Sequence, residues 1–413
     1  MLKAKGVYNL KRYLLILLLL FSILILFSCD KDEPVSADSE TEEISETTIP
    51  PVTDIEIVTD EIVIEETTTI PEETTSVPEE TTTKETTTEP PKKVIDKYVN
   101  PLTGLKGTIE VSNKRPVAIM INNLKQSLPQ EGISSADVMY ECLVEGGTTR
   151  LMMLVTNYET LGSVGSVRSA RDYYLDLAQN HDAIFIHAGG SPLAYDNIQG
   201  RRINNLDGVN MYVPSMFYRD AVRRQTMAME HTLMTSGKGI VSGIEYTKYR
   251  TSLKDDFTSP FNFVDYGTKR ELSGNNLARH VIVPYNSAQF PQYIYQPKTN
   301  TYLRYQYNGK AHMDSVTNTQ LEFTNVILLV CEHGDLNDDK GRIGVLMTGT
   351  GDGYYIYGGK YEKIKWNKTT RDSQIVLTNT NGTPLIMNCG KTVVNVISPN
   401  VNEVLVLNYS AVK

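Results

Sequence analysis

Hydrophobic positions fall into four regimes along the chain. From Tyr13 to Phe27 the residues are apolar apart from Tyr13 and Ser22. From Asp30 to about Lys93 apolar residues are sparse, and Glu, Thr, Ser and Pro dominate. From about 96 to 250, short apolar runs alternate with amphipathic ones. Val117–Ile121, Ala136–Val144 and Thr149–Thr156 read as strands, the last two joined by the hairpin residues Glu145-Gly146-Gly147. Ser169-x-x-Asp172 has capping-box spacing and opens a helix to about Asn180. Ala183–His187 is a further strand, and Ser191-Pro192 starts another helix with a capping residue and a first-turn proline. Arg219 to Met229 reads as a helix with Glu230-His231 at its end. From about 255 to 410 the pattern is β throughout, in short runs such as His280–Pro284, Tyr302–Tyr307, Asn325–Cys331 and Thr392–Ile397. The turns Asn308-Gly309, Gly358-Gly359 and Asn381-Gly382 separate them. The fold class expected is α+β: a mixed α/β domain at 96–250, then a mainly β, sandwich- or barrel-like domain at 255–410.

Charge refines the picture. The net charge is −9 over 413 residues. Residues 1–29 carry +4 and residues 30–90 carry −18, which leaves +5 for 91–413. A basic start before a short apolar run fits an export signal, because a membrane span needs about 20 apolar residues. The run ends Leu26-Phe27-Ser28-Cys29, which resembles the bacterial lipobox, although Phe27 is larger than the residue usual there. Residues 1–28 are therefore expected to be a lipoprotein signal peptide and Cys29 the lipidated residue. Residues 29–95 are expected to be a disordered acidic tether, since they cannot bury enough apolar surface to offset ordering entropy. The expected location is the outer face of a bacterial cell membrane, with the lipid on Cys29 as the membrane contact. The mildly basic body has no basic cluster that would argue for nucleic acid.

Candidate chemistry concentrates in Gly162–Pro192, GSVGSVRSARDYYLDLAQNHDAIFIHAGGSP. If its strand and its neighbour share a sheet, two turns lead to helix N-termini, where open α/β sheets bind ligands and anions. Arg168, Arg171, Asp172, Ser191 and Arg150 are the ligand-binding candidates, arginine being suited to carboxylate or phosphate. For a hydrolase the candidates are His187 or His231 as base, with Glu141 or Glu145 as carboxylate partner. Each has a plainer reading as a structural ion pair, a strand-end histidine or a cation at a helix C-terminus. The tyrosines of the second half suit half-buried strand faces. Gly189-Gly190-Ser191-Pro192-Leu193 lacks the last glycine of a nucleophile elbow. Asp335 to Gly341 fails the spacing of a calcium loop. No metal or cofactor pattern is read. Cys142 reads as apolar filler, and a Cys331–Cys389 disulfide is left open by the sequence.

Four ordered motifs, RPVAIMINN (115–123), ADVMYECLVEGGTTR (136–150), GSVRSARDYYLDLA (165–178) and HAGGSP (187–192), resemble the YerB-like family of bacterial lipoproteins. The likeness continues through Arg219-Asp220, Glu230-His231-Thr232, GGK…W…K at 358–368 and NGTPLIMNCGKT at 381–392. It covers about three quarters of the chain. It implies two domains of unknown function and an envelope lipoprotein, and brings no activity, substrate or catalytic residue with it. The function expected is a lipid-anchored envelope protein that binds an anionic or carbohydrate component. Its partners would be cell-wall polymer or other envelope proteins. Envelope hydrolase is the alternative.

Overall fold

The computed structural model describes residues 96–409. The signal peptide, Cys29 and the tether lie outside the described residues. The described part is α+β with a mainly β second half.

Its first half supplies β1 (Val117–Asn122), β2 (Val138–Leu143), β3 (Thr149–Val155), β4 (Ser163–Gly165), β5 (Ile184–His187), β6 (Asn205–Asp207), β7 (Phe217–Arg219) and β8 (Leu233–Ser236). The helices of the described part are α1 (Asp172–Gln179), α2 (Pro192–Gly200), α3 (Arg223–Thr226), α4 (Gly237–Thr247) and α5 (Pro399–Glu403). The principal sheet has ten strands. Their order is Val376–Asn379, Lys360–Lys368, Gly349–Tyr357, Asn325–Val330, Thr392–Ile397, β2, β3, β1, β5, β6. Five strands of the second half thus complete a sheet begun by the first, and the 250–255 boundary does not interrupt it. Thr392–Ile397 pairs in parallel with both β2 and Asn325–Val330. β1 is parallel to β5, and β5 to β6, while β3 is antiparallel to β1 and β2. Lys360–Lys368 is two antiparallel steps from Asn325–Val330 and so runs parallel to it. Seven of the ten strands therefore point the same way, and their carboxyl ends share one edge.

Burial explains this sequence pattern. Every residue of β1, VAIMIN, is buried, as is every residue of Thr392–Ile397. A strand covered on both faces reads as a continuous apolar run rather than an alternating one. Ala118 and Met120 pack with Tyr173, Tyr174 and Leu177 of α1 on one face. Val117, Ile119 and Ile121 pack on the other with Ile240 and Ile244 of α4 and with Val281, Tyr293 and Tyr302 of the second half. Each such side chain contributes about 1.5–3 kcal/mol by leaving water. The β2–β3 connection is a tight turn over Glu145–Gly147, where Gly146 and Gly147 both adopt φ near +68. A side chain there would be strained, which is why two glycines follow Glu145.

Two sequence expectations change. The capping box at Ser169 does not form: α1 starts later, with Arg171 at the cap position and no side-chain cap. Residues 166–170 are instead taken up as extended chain between the ends of β1 and β5. The Arg168 N–H donates to Met120 O at 2.9 Å, and Ala188 N–H donates to Arg168 O at 3.0 Å. The expected helix from Arg219 to Met229 shrinks to α3. Arg219 ends a strand, and the Asp220 carboxylate accepts the Arg223 N–H at 2.7 Å, starting the helix only there. Ser191 does cap α2, accepting the Ala194 N–H at 3.2 Å with Pro192 next. Cys142, Cys331 and Cys389 are free.

Candidate functional site

The shared carboxyl edge gathers most of the candidate residues. Asn122 ends β1, Glu145 follows β2, Arg150 opens the antiparallel β3 opposite Asn122, and His187 and Asp207 end β5 and β6. The extended segment 166–170 brings Arg168 into this row, and Arg171 sits at the start of α1.

Glu145 is the hub of the arginines. Its carboxylate accepts Arg150 Nη2 at 3.0 Å and Arg171 Nε at 2.8 Å, with a second contact from Arg171 Nη2. Arg150 also donates to Ser169 O at 2.8 Å, and Arg171 to Ala170 O at 2.6 Å. Burial acts to raise the Glu145 carboxyl, but the hydrogen bond from Arg171 and the charges of Arg150 and Arg171 outweigh it and hold it at about 2. Burial likewise pulls Arg150 down to about 10, still charged at neutral pH.

Arg168 is placed differently. Its side chain is 21 % exposed, and its closest carboxylate, Glu230, is 3.9 Å away and 51 % exposed. Its Nε is buried with no hydrogen-bond partner. Burial pulls this guanidinium below its ordinary value, and the charge of Arg171 adds to that while Glu230 opposes it. Beside it lies His231, buried, whose Nδ1 accepts from the Asn122 amide at 2.9 Å. Burial, aided by the Arg168 and Arg223 charges, lowers the His231 pKa. Three guanidiniums thus face one well-paired carboxylate and one distant one.

The remaining candidates are held in structural roles. His187 is fully buried, with Nδ1 on Gly189 O at 2.8 Å and Nε2 on Asn205 Oδ1 at 3.1 Å. Asp207 beneath it accepts the N–H groups of Gly189 and Val209 and shapes that turn. Ser191 spends its hydroxyl on capping α2. Asp172 pairs with Arg371 at 3.1 Å, and Asp176 binds both Arg371 and Arg201, clamping α1 to the hairpin after Lys360–Lys368. Glu141 is wholly buried, bound to Arg304 at 2.7 Å and to Thr149 at 2.7 Å. The hydrogen bonds of His187 and His231 thus run to amides and a carbonyl rather than to Glu141 or Glu145.

Sequence reading noted Glu230 beside His231 without giving it a role, and missed the parts played by Asn122 and Arg304. Arg304 was detectable in principle: in TYLRYQ it shares the buried alternate positions with Tyr302 and Gln306. Glu230 and Asn122 carried no such signal. Elsewhere, a groove of about 1090 Å³ lies between residues 96–113 and 253–266, and a polar depression of about 900 Å³ surrounds Arg270 and Glu362. Neither contains the clustered arginines or the histidines, and the chemistry places the candidate site at the sheet edge instead. Among the described residues no three His, Cys, Asp or Glu side chains converge to hold a metal, and no helix is long and apolar enough to cross a membrane.

Comparison with known proteins adds kinship. Residues 102–250 match the N-terminal domain, and residues 281–394 the C-terminal domain, of a family described as proteins of unknown function, DUF3048. YerB of Bacillus subtilis (strain 168), described by its name as a lipoprotein, is 30 % identical over 271 residues, 65 % of this chain and 77 % of that protein. The crystal structure of the Bacillus subtilis YerB protein aligns with a TM-score of 0.62 at 28 % identity, covering 73 % of this chain and 97 % of that one.

Proposed function

The chain belongs to the YerB-like DUF3048 family, and from that premise we propose that it is a lipid-anchored envelope protein that binds an anionic envelope component at Arg168. Cys29 would carry the lipid. The observation that supports the reading is the state of Arg168: a guanidinium largely withdrawn from water, with an unpartnered Nε and no carboxylate in hydrogen-bond contact. Withdrawing a charge from water is costly unless a partner compensates it. A ligand carboxylate, phosphate or sugar acid supplies that partner, and Arg150 and Arg171 reinforce its attraction from behind.

Binding is favoured over hydrolysis by the hydrogen bonds. Both His187 nitrogens are engaged, and neither His187 nor His231 is hydrogen-bonded to Glu141 or Glu145, the carboxylates that would orient a general base.

The test is co-sedimentation of fragment 96–413 with bacterial envelope fragments, membrane and wall together, at low and high salt. The fragment is a fair probe because both hydrophobic clusters are assembled within it. Arg168→Ala is expected to weaken a salt-sensitive association about 10- to 100-fold, the value of one or two hydrogen bonds to a charged group. A folded variant that binds as tightly as its parent overturns the reading.

A further inference from the structure

The residues around Arg168 carry a second pattern that anion binding alone does not use. The loop 208–216 leaves the carboxyl end of β6. Its Gly208 N–H donates to His187 O at 2.8 Å, and Val209 lies against the turn at Gly189. The excursion 220–232 lies over the end of β1: Arg223 donates to Ser127 O at 3.0 Å and to Pro129 O, and His231 meets Asn122. Arg168 sits between them, its carbonyl bonded to Ala188 and its guanidinium facing Glu230.

Both loops present large apolar side chains to water. Tyr212 is 85 % exposed, Val222 72 %, Val209 62 % and Met229 53 %. Tyr212, Val222 and Val209 are three of the four most exposed large hydrophobic residues described. Exposed Arg219 and Arg224 stand among them. From 208 to 232 the loops hold Arg219, Arg223 and Arg224 against Asp220 and Glu230, and Glu230 lies 3.9 Å from Arg168, leaving the patch mildly basic. Scattered exposed apolar residues need no explanation, but a concentration of them ringed by arginine at a cationic site does.

Resting on the reading of Arg168 as an anion contact, we propose that this end of the molecule docks on an anionic phospholipid surface. Val209, Tyr212, Val222 and Met229 enter the headgroup region, while Arg168, Arg219 and Arg224 meet lipid phosphates. The charge complementarity is direct. Apolar insertion combined with arginine attraction is how peripheral proteins hold an anionic interface. Tyrosine, apolar in body and polar at its tip, suits that boundary. Such docking is weak alone. Beside a lipid anchor on the same chain it acts at high effective concentration and fixes which end of the domain faces the bilayer.

The test uses fragment 96–413 and vesicles of phosphatidylglycerol with phosphatidylcholine, or of phosphatidylcholine alone. Binding is expected to the mixed vesicles only. The triple change Val209→Ser, Tyr212→Ser and Val222→Ser should lower it about tenfold or more. A separate Tyr212→Trp variant should shift its emission to the blue on the mixed vesicles; the sole native tryptophan, Trp366, is buried and stays silent. Unchanged binding by the triple variant, or no spectral shift, overturns the proposal. If the parent ignores vesicles yet loses envelope binding on Arg168→Ala, the docking idea fails while the anion site stands, with a wall polymer as ligand. If the triple variant loses vesicle binding and Arg168→Ala does not, the apolar loops are the contact and Arg168 is not the anion site.

Discussion

At the scale of single residues, Glu145 and His181 make the clearest commitments. Glu145 satisfies two guanidiniums at once, so Glu145→Ala should destabilise the fold by about 2 kcal/mol, measured by urea unfolding. It should also free Arg150 and Arg171, so that binding of polyanions rises rather than falls. His181 is fully buried, with Tyr140 Oη 2.8 Å from its Nε2. Burial, and then the charge of Lys368, push it down to about 3. Its folded value lies below the unfolded one, near 6.5, so the unfolded chain takes the proton first. Stability is therefore complete above about pH 6.5 and falls as pH drops toward 3, by a few kcal/mol over the whole window. His312, also fully buried and lowered by burial and Arg304, adds in the same direction. Melting temperatures between pH 7 and 5 should show the decline, and His181→Gln should flatten it. An unchanged slope in that variant would count against the assignment. The arginines and Glu145 were legible as a group because they crowd into two short motifs. Their pairing was not, since Glu145 and Arg171 meet only after α1 folds back over β2.

At the scale of elements, the outcome turns on what each segment's neighbours leave it to do. β1 and Thr392–Ile397 were readable because unbroken apolar runs have few other uses. Residues 166–170 were misread because their local capping signal lost to backbone pairing with β1 and β5, a competition invisible in the segment itself. The link between Thr301–Gln306 and β2 is a case of the same kind. Arg304 and Glu141 are both fully buried at 2.7 Å, and 163 residues separate them. No local pattern could have joined them. Glu141→Ala would leave the Arg304 guanidinium buried and unpaired, at a cost of about 3–5 kcal/mol. Urea unfolding should report that loss, and an effect below about 1 kcal/mol would mean that water reaches the site.

At the scale of the molecule, the two family domains share one sheet. Strand positions in the second half followed from alternation and from Asn-Gly and Gly-Gly turns. Strand order did not, because sequence pattern says which residues are buried and not which edge they find. The consequence for dissection is definite. A fragment ending at 255 lacks Thr392–Ile397, so β2 loses its parallel neighbour and Val138–Cys142 loses five paired residues. Fragment 96–255 should aggregate or fail to melt cooperatively by circular dichroism, whereas 96–413 should melt in one step. A soluble, cooperatively melting 96–255 would show that the first domain closes its own edge.

The position of Thr392–Ile397 also bears on how the protein is made. The chain is synthesised from its N-terminus, yet this strand, inserted between β2 and Asn325–Val330, pairs with β2 residues more than 250 positions before it. Until it emerges, two apolar edges wait unpaired, each a template for the wrong partner. Folding of the whole sheet therefore waits until Thr392–Ile397 is available to it. Loss of Thr392–Ile397 by premature termination or proteolysis would be felt at β2, in the middle of the sheet and more than 250 residues upstream.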